Sequence, residues 1–287
     1  MTTTRIPATA DDAAAVQAAF ATLAANAPPA DPGPGPAQPR TAPGRWVDAS
    51  GRSATEAGAV VYAHGGGFRH TEPGLELLMA RRLSAAARRP VFAVDYRLTP
   101  AHHYPAPLDD VMSVYRDLLG QGVPASGILL FGESAGGTLV LSALLAMARD
   151  GLTPPAGAAA ACPLTDLTLS SPSLTDPGGR DTADRTVLAG ATADYLNGAP
   201  PDRAPQSPLH GDLAGLPPLL LAAGEADALA DDARRFAAAS EAAGTATVLD
   251  LYAAMPHVFH IAGLGPEPPR VPAEFWRRFA EWAAARG

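Results

Sequence analysis

The segment Ile128-Leu129-Leu130-Phe131-Gly132-Glu133-Ser134-Ala135-Gly136-Gly137 constrains the fold of this chain more than any other. Four consecutive apolar residues read as a short buried strand, and residues 138–149 have the composition of a helix. Between them the pattern G-x-S-x-G, Gly132 to Gly136, leaves room only for an abrupt strand-to-helix turn with Ser134 at its apex. A serine held there is thrust out at the end of a sheet, pointing at substrate. A glycine-rich turn of this kind also suits phosphate binding or plain close packing, so the motif alone does not establish a nucleophile.

A second loaded stretch lies upstream. A strand over Ala59–Ala63 runs into His64-Gly65-Gly66-Gly67-Phe68. Three successive glycines cost backbone entropy, a penalty that makes sense where main-chain N–H groups must face a ligand with no side chain in the way. Taken by itself the run is equally a tight loop after a strand.

From residue 59 onward strands and helices alternate. Helices are expected at 75–88, with Leu75, Leu78, Met79 and Leu83 on one face, and at 108–119, 231–243 and 273–285; strands are expected at 90–95, 156–161, 218–223 and 247–252. Phe275, Trp276, Phe279 and Trp282 in the last helix read as packing residues. This alternation predicts an α/β fold, a mostly parallel doubly wound sheet with helices on both faces. It pauses over 169–213, an interval rich in Ser, Pro, Asp and Gly with one helical candidate at 187–196, too long for an ordinary connection and read as a cap insertion. At the other end, 11–25 reads as an amphipathic helix carrying Val16, Phe20 and Leu23, and 27–44 as a Pro/Gly-rich linker. A short strand at 45–47 and a polar turn at 50–58 precede the first core strand. The chain thus divides into an N-terminal cap segment and linker, 1–44, and a core, 45–287, carrying the cap insertion.

Charge narrows the function. Acidic residues outnumber basic ones 29 to 21, for a net charge of −8, and no basic cluster offers a footprint for nucleic acid or an anionic membrane. Every basic residue is arginine, which excludes a Walker-type lysine, a Schiff base and a serine–lysine pair. Cys162 is the single cysteine, so no intrachain disulfide forms; it is expected in the core, and no Cys/His spacing suits zinc. The first twenty residues lack a signal-like pattern and no apolar run reaches membrane-spanning length, so the expected location is the cytoplasm, without membrane insertion.

A serine hydroxyl needs a histidine to take its proton and a carboxylate to fix the imidazole tautomer. The chain supplies them in the order Ser134, Asp227, His257, the latter two each just beyond an apolar strand and so at the same carboxyl edge of a parallel sheet, where open α/β sheets bind ligands. That order matches an α/β-hydrolase. His260 competes with His257 for the base role but reads as structural or pocket-lining. His64 is expected to hold its glycine loop by hydrogen bonds, whereas His70, His102, His103 and His210 have no assignable partner. Asp95 and Arg97 are read as an ion pair bracing a buried loop, and Asp166 as another loop-bracing carboxylate.

His64-Gly65-Gly66-Gly67, Asp95-Tyr96-Arg97-Leu98-Thr99-Pro100, Gly132-Glu133-Ser134-Ala135-Gly136-Gly137, Gly224-Glu225-Ala226-Asp227 and Met255-Pro256-His257-Val258-Phe259-His260 together resemble the bacterial hormone-sensitive-lipase-like esterases, from about residue 60 to the C-terminus. The resemblance implies an oxyanion hole built from the N–H groups of Gly66, Gly67 and Ala135, and a cap formed by the N-terminal segment and the insertion. It implies a carboxylesterase that attacks small to medium acyl esters through an acyl-enzyme and needs neither metal nor cofactor. The partner is a small-molecule ester, with an oligomer left open. The family's Y-R-L-A-P-E-H run reads Tyr96-Arg97-Leu98-Thr99-Pro100-Ala101-His102 here and loses a carboxylate. Phe68 and Arg69 follow the glycines directly and are candidate substrate-binding residues, Arg69 for a carboxylate, with a solvated charge beside Glu72 as the bland reading. The alternatives are a lactonase or cyclase acting on one natural product, and a non-catalytic binding module like the plant gibberellin receptors, which lack the histidine that His257 provides.

Overall fold

The computed structural model describes residues 2–26, 43–175 and 184–287. The Pro/Gly-rich linker expected at 27–44 and the middle of the expected cap insertion fall largely or partly outside these residues. In chain order the elements are β1 (Thr2–Ile6), α1 (Ala10–Asn26), β2 (Gly44–Val47), α2 (Ala54–Ala57), β3 (Ala59–Ala63), α3 (Pro73–Ala87), β4 (Val91–Val94) and α4 (Ala106–Gly120). They continue as β5 (Ile128–Glu133), α5 (Ala135–Arg149), β6 (Gly157–Ala161), α6 (Arg185–Leu196), β7 (Leu219–Gly224), α7 (Ala230–Ala242), β8 (Thr247–Tyr252) and α8 (Arg270–Ala284). Among the described residues the sheet has eight strands in the order β1-β8-β7-β6-β5-β3-β4-β2. Only β2 runs antiparallel, against β4; every other pairing is parallel.

The central strands are buried on both faces, which is why they read as unbroken apolar runs rather than alternating ones. Side chains still alternate in direction. Val61 of β3 and Leu130 of β5 join the core beneath α4, α5 and α7, while Val60, Tyr62, Leu129 and Phe131 join the second core beneath α3 and α8. Phe275, Trp276, Phe279 and Trp282 are all buried in that second core, as expected. With every core strand parallel, the carboxyl ends of β3, β5, β7 and β8 share one edge, and the loops carrying His64, Ser134, Asp227 and His257 all leave from it.

Three local expectations change. The stretch 50–58 contains the short helix α2 rather than a turn alone. In α3 the buried face includes Glu76 and Leu77, and Leu78 is only half-buried. Glu76 turns inward because Thr71 Oγ1 and the Glu72 N–H, at 2.9 Å, donate to its carboxylate, a reason invisible to an apolar pattern. Finally, residues 2–26 are built into the body of the molecule rather than laid over it. β1 is the parallel neighbour of β8, with Thr2 opposite Val248 and Ile6 opposite Tyr252. α1 packs on α8 and on the turns of 3₁₀ helix at Phe259–Leu264, burying Ile6 and Val16. No helix among the described residues is long and apolar enough to cross a membrane.

Candidate active site

Ser134 sits at the point where β5 becomes α5, with φ 52° and ψ −121°, a strained backbone for a residue with a side chain. The flanking glycines make the turn possible by close approach. A Cβ on Gly132 would overlap the carbonyl of Gly136, and one on Gly136 would overlap the carbonyl of Ala63. The turn is thus folded on itself and pressed against β3. The Ser134 N–H donates to Ala161 O at 2.9 Å, tying it to β6 as well.

The structure brings together the three residues that chain order singled out. His257 Nε2 lies 2.9 Å from Ser134 Oγ, and His257 Nδ1 lies 3.0 and 3.1 Å from the two carboxylate oxygens of Asp227. Asp227 is buried and also accepts the Leu229 N–H at 2.8 Å. Burial opposes its charge, but the His257 imidazole, that N–H and the Cys162 thiol together hold the carboxyl below its usual range. Burial pushes the thiol itself far up, so Cys162 is present as a protonated donor. The ligand atoms of Cys162, Asp227 and His257 lie within 4.8 Å of one another. Both imidazole nitrogens are engaged, Nδ1 with Asp227 and Nε2 with Ser134.

Opposite the serine, the glycine loop is held peptide by peptide. A trans peptide is planar, so its C=O and N–H point in opposite directions and fixing one aims the other. His64 O lies 2.8 Å from the Tyr96 hydroxyl, and the Gly65 N–H of the same peptide donates to Glu133 Oε1 at 2.8 Å. Gly65 O is held by His64 Nδ1 at 2.6 Å and by the Tyr96 hydroxyl at 3.2 Å, leaving the Gly66 N–H to face away. Gly66 O accepts from the Arg69 and His70 N–H groups at 3.1 and 3.0 Å, leaving the Gly67 N–H. Gly66 and Gly67 have φ of 102° and 61°, which a side chain would oppose. Ala135 opens α5, where an N–H has no intrahelical acceptor and the helix dipole favours negative charge. A cavity of about 270 Å³ is lined by Gly66, Gly67, Ser134 and His257 together with Leu188, Val258 and Ile261.

Phe68 and Arg69, expected at the substrate, are elsewhere. Phe68 is fully buried and stacks on Tyr195 of α6, with ring centroids 4.0 Å apart. Arg69 reaches Asp194 of α6 with Nη2 at 2.7 Å, and Glu72 is not its partner. Neither lines the cavity; Val187, Leu188 and Ala191 of α6 do, so the insertion forms one wall of it. Asp95 and Arg97 do not brace each other: Arg97 binds Asp110 at 2.9 Å and Asp95 binds Arg45 at 2.8 Å. Asp166 is the loop brace expected, holding Thr168, Ser170 and Arg235, but it also takes His210 Nε2 at 2.9 Å. His103 Nδ1 meets Asp194 O at 2.6 Å, so this histidine too has a partner. His260 is buried with neither ring nitrogen hydrogen-bonded, packed among Phe131, Phe259, Phe275 and Trp276, and belongs to the core.

Sequence reasoning passed over Glu133, Tyr96, Cys162 and Asp194. Glu133 carried a signal: a carboxylate continuing a buried strand requires partners. The other three carried none, since tyrosine, cysteine and a helical aspartate are ordinary in their local settings.

The geometry has counterparts among known proteins. A family model described as alpha/beta hydrolase fold matches residues 60–261. An acetyl-hydrolase of Streptomyces hygroscopicus is 39% identical over 206 residues, 70% of this chain and 68% of that protein. A carboxylesterase/phospholipase of Mycobacterium tuberculosis is 32% identical over 240 residues, 80% of this chain and 62% of that protein. Among solved structures, EstE5 superposes with a TM-score of 0.81 at 31% identity, covering 87% of this chain and 83% of its own. A hormone-sensitive lipase from a metagenome library does so with a TM-score of 0.82 at 30% identity, covering 94% and 89%.

Proposed function

Because the chain belongs to the alpha/beta-hydrolase family, among its hormone-sensitive-lipase-like carboxylesterases, we propose that Ser134 is its nucleophile, His257 its general base and acid, and Asp227 the carboxylate that orients the imidazole. The observation that carries this reading is the unbroken line from Ser134 Oγ through His257 to Asp227, with contacts of 2.9 and 3.0 Å. With Nδ1–H donated to Asp227, the lone pair on Nε2 faces the serine hydroxyl.

In the first half-reaction Ser134 Oγ adds to the ester carbonyl while its proton passes to His257 Nε2. The carbonyl electron pair becomes an oxyanion, received by the N–H groups of Gly66, Gly67 and Ala135. Collapse of this intermediate breaks the bond to the alcohol, which leaves with the proton from His257, and Ser134 is left acylated. Water then repeats the sequence, giving up a proton to His257 and releasing the carboxylic acid and the free serine. Asp227 stays ionised throughout and stabilises the imidazolium that forms twice.

A cavity of about 270 Å³ with Leu75, Met79, Leu188, Val258 and Ile261 among its lining residues suits a short to medium acyl ester. The likeness to an acetyl-hydrolase supports the short end of that range. Covalent labelling with a fluorophosphonate, read by peptide mass spectrometry, tests the reading without knowledge of the natural ester. Label on Ser134 and loss of labelling in Ser134→Ala are expected; label on another serine would overturn the assignment.

A further inference from the structure

Glu133, the residue before the candidate nucleophile, makes an unusual set of bonds. Its Oε1 accepts two hydrogen bonds at 2.8 Å, one from the Gly65 N–H and one from the Tyr62 hydroxyl. The side chain is buried and the second oxygen, Oε2, has no partner among the described residues. Three elements meet on one oxygen: the end of β5, the end of β3 and the first glycine of the loop. The loop also passes within contact distance of the elbow, since a Cβ on Gly65 would come 3.4 Å from Glu133 Cγ and 3.5 Å from Ser134 Cβ.

We propose that Glu133 is a positioning residue for the oxyanion donors, fixing the plane of the first peptide of the glycine loop relative to Ser134. The inference rests on the catalytic reading above, and its consequence follows from peptide geometry. The peptide between His64 and Gly65 is held at its carbonyl by Tyr96 and at its N–H by Glu133. With that plane set, His64 and Tyr96 can hold the next carbonyl, and the Gly66 N–H is aimed by elimination. Release of the Gly65 N–H frees the first plane to rotate, and the two donors beyond it lose their common direction. Donors aimed where charge develops act only if they are in place before the reaction, so their orientation appears in kcat rather than in substrate binding.

An ionised acceptor suits the task. A carboxylate makes shorter and stronger bonds to N–H and O–H donors than a neutral oxygen does. Burial works against that ionisation, and with Glu76 nearby it raises the carboxyl to about 7, while the Gly65 and Tyr62 donors pull it down. A buried carboxyl with one bare oxygen is costly, and the fold retains it beside the nucleophile.

Three substitutions separate positioning from simple stability. Glu133→Gln keeps an acceptor oxygen at the same reach and is expected to retain kcat within about tenfold. Glu133→Asp keeps the charge but falls one methylene short, and Glu133→Ala removes the acceptor; each is expected to lower kcat on the order of 10²-fold with KM within about threefold. A trifluoromethyl ketone, which forms a tetrahedral oxyanion on the serine, should bind more weakly to Glu133→Asp in step with the loss in kcat. Affinity for the alcohol product should stay unchanged. If Glu133→Ala fails to fold, the comparison of Asp with Gln at matched melting temperature decides. Wild-type kcat in folded Glu133→Asp, or a loss confined to KM, would overturn the proposal. Absence of Ser134 labelling in the wild type would instead defeat the catalytic reading beneath it.

Discussion

The Arg69 guanidinium closes on Asp194, Nη2 to Oδ2 at 2.7 Å and Nε to the same oxygen at 2.9 Å, and so joins the glycine loop to helix α6. Phe68 stacked on Tyr195 makes a second joint one residue away. The loop is held from below by Glu133 and from above by α6, and its one arginine is used in the holding.

Arg69→Ala should therefore act alike on all substrates. The pair is half-exposed and contributes about 0 to 1 kcal/mol, so kcat/KM is expected to fall less than about fivefold, equally for a neutral ester and for its carboxylate-bearing analogue. Parallel assays of the two esters check this. A tenfold loss on the anionic ester alone would return Arg69 to the substrate.

Asp227→Asn should leave the fold intact and reduce kcat on the order of 10⁴-fold, because the amide can donate to Nδ1 and so favours the wrong imidazole tautomer. Circular dichroism and steady-state kinetics on one preparation measure both. A loss below tenfold would mean that the carboxylate, 3.0 Å from His257, does not orient it.

His260→Phe should leave turnover near wild type and make the protein less sensitive to acid. Burial, with help from His257 nearby, lowers the His260 pKa to about 3. Between its unfolded value near 6.5 and that folded value the unfolded chain binds a proton that the native state refuses, so wild-type stability falls as pH falls through this window. From pH 6.5 to 5 the effect is about 2 kcal/mol. Melting temperatures of the two proteins at pH 7.5 and 5 should diverge at the lower pH; a constant gap would contradict this.

Deleting residues 1–26 should destabilise the core rather than retune the pocket. The deletion strips β1 from β8, exposing a strand edge open to self-association, and removes the buried side chains of Ile6 and Val16, worth about 1.5 to 3 kcal/mol each. It also breaks the Asp12–Arg270 ion pair of 2.9 Å. A lower melting temperature, more association by light scattering and nearly unchanged KM for short esters are expected. Changed acyl preference at unchanged stability would restore a substrate-covering role.

The sequence by itself determined the parallel sheet and the order of the chemistry along it. β3, β5 and β7 are buried on both faces and so are written as continuous apolar runs, and the elbow and the glycine loop demand residues without side chains wherever backbones touch. Ser134 and Asp227 each follow such a strand and His257 follows β8, so their shared edge is a consequence of topology and could be read in advance. β1 could not, because an edge strand held by main-chain bonds to β8 needs no apolar pattern, and Thr2 to Arg5 show none. Nor could the partners of the charged groups. Arg69 and Asp194 stand 125 residues apart, Glu133 and Gly65 68 apart, and His210 and Asp166 44 apart. Local sequence sets whether a side chain is apolar and how its backbone bends, whereas a buried polar group must find whichever donor or acceptor the assembled fold brings within about 3 Å.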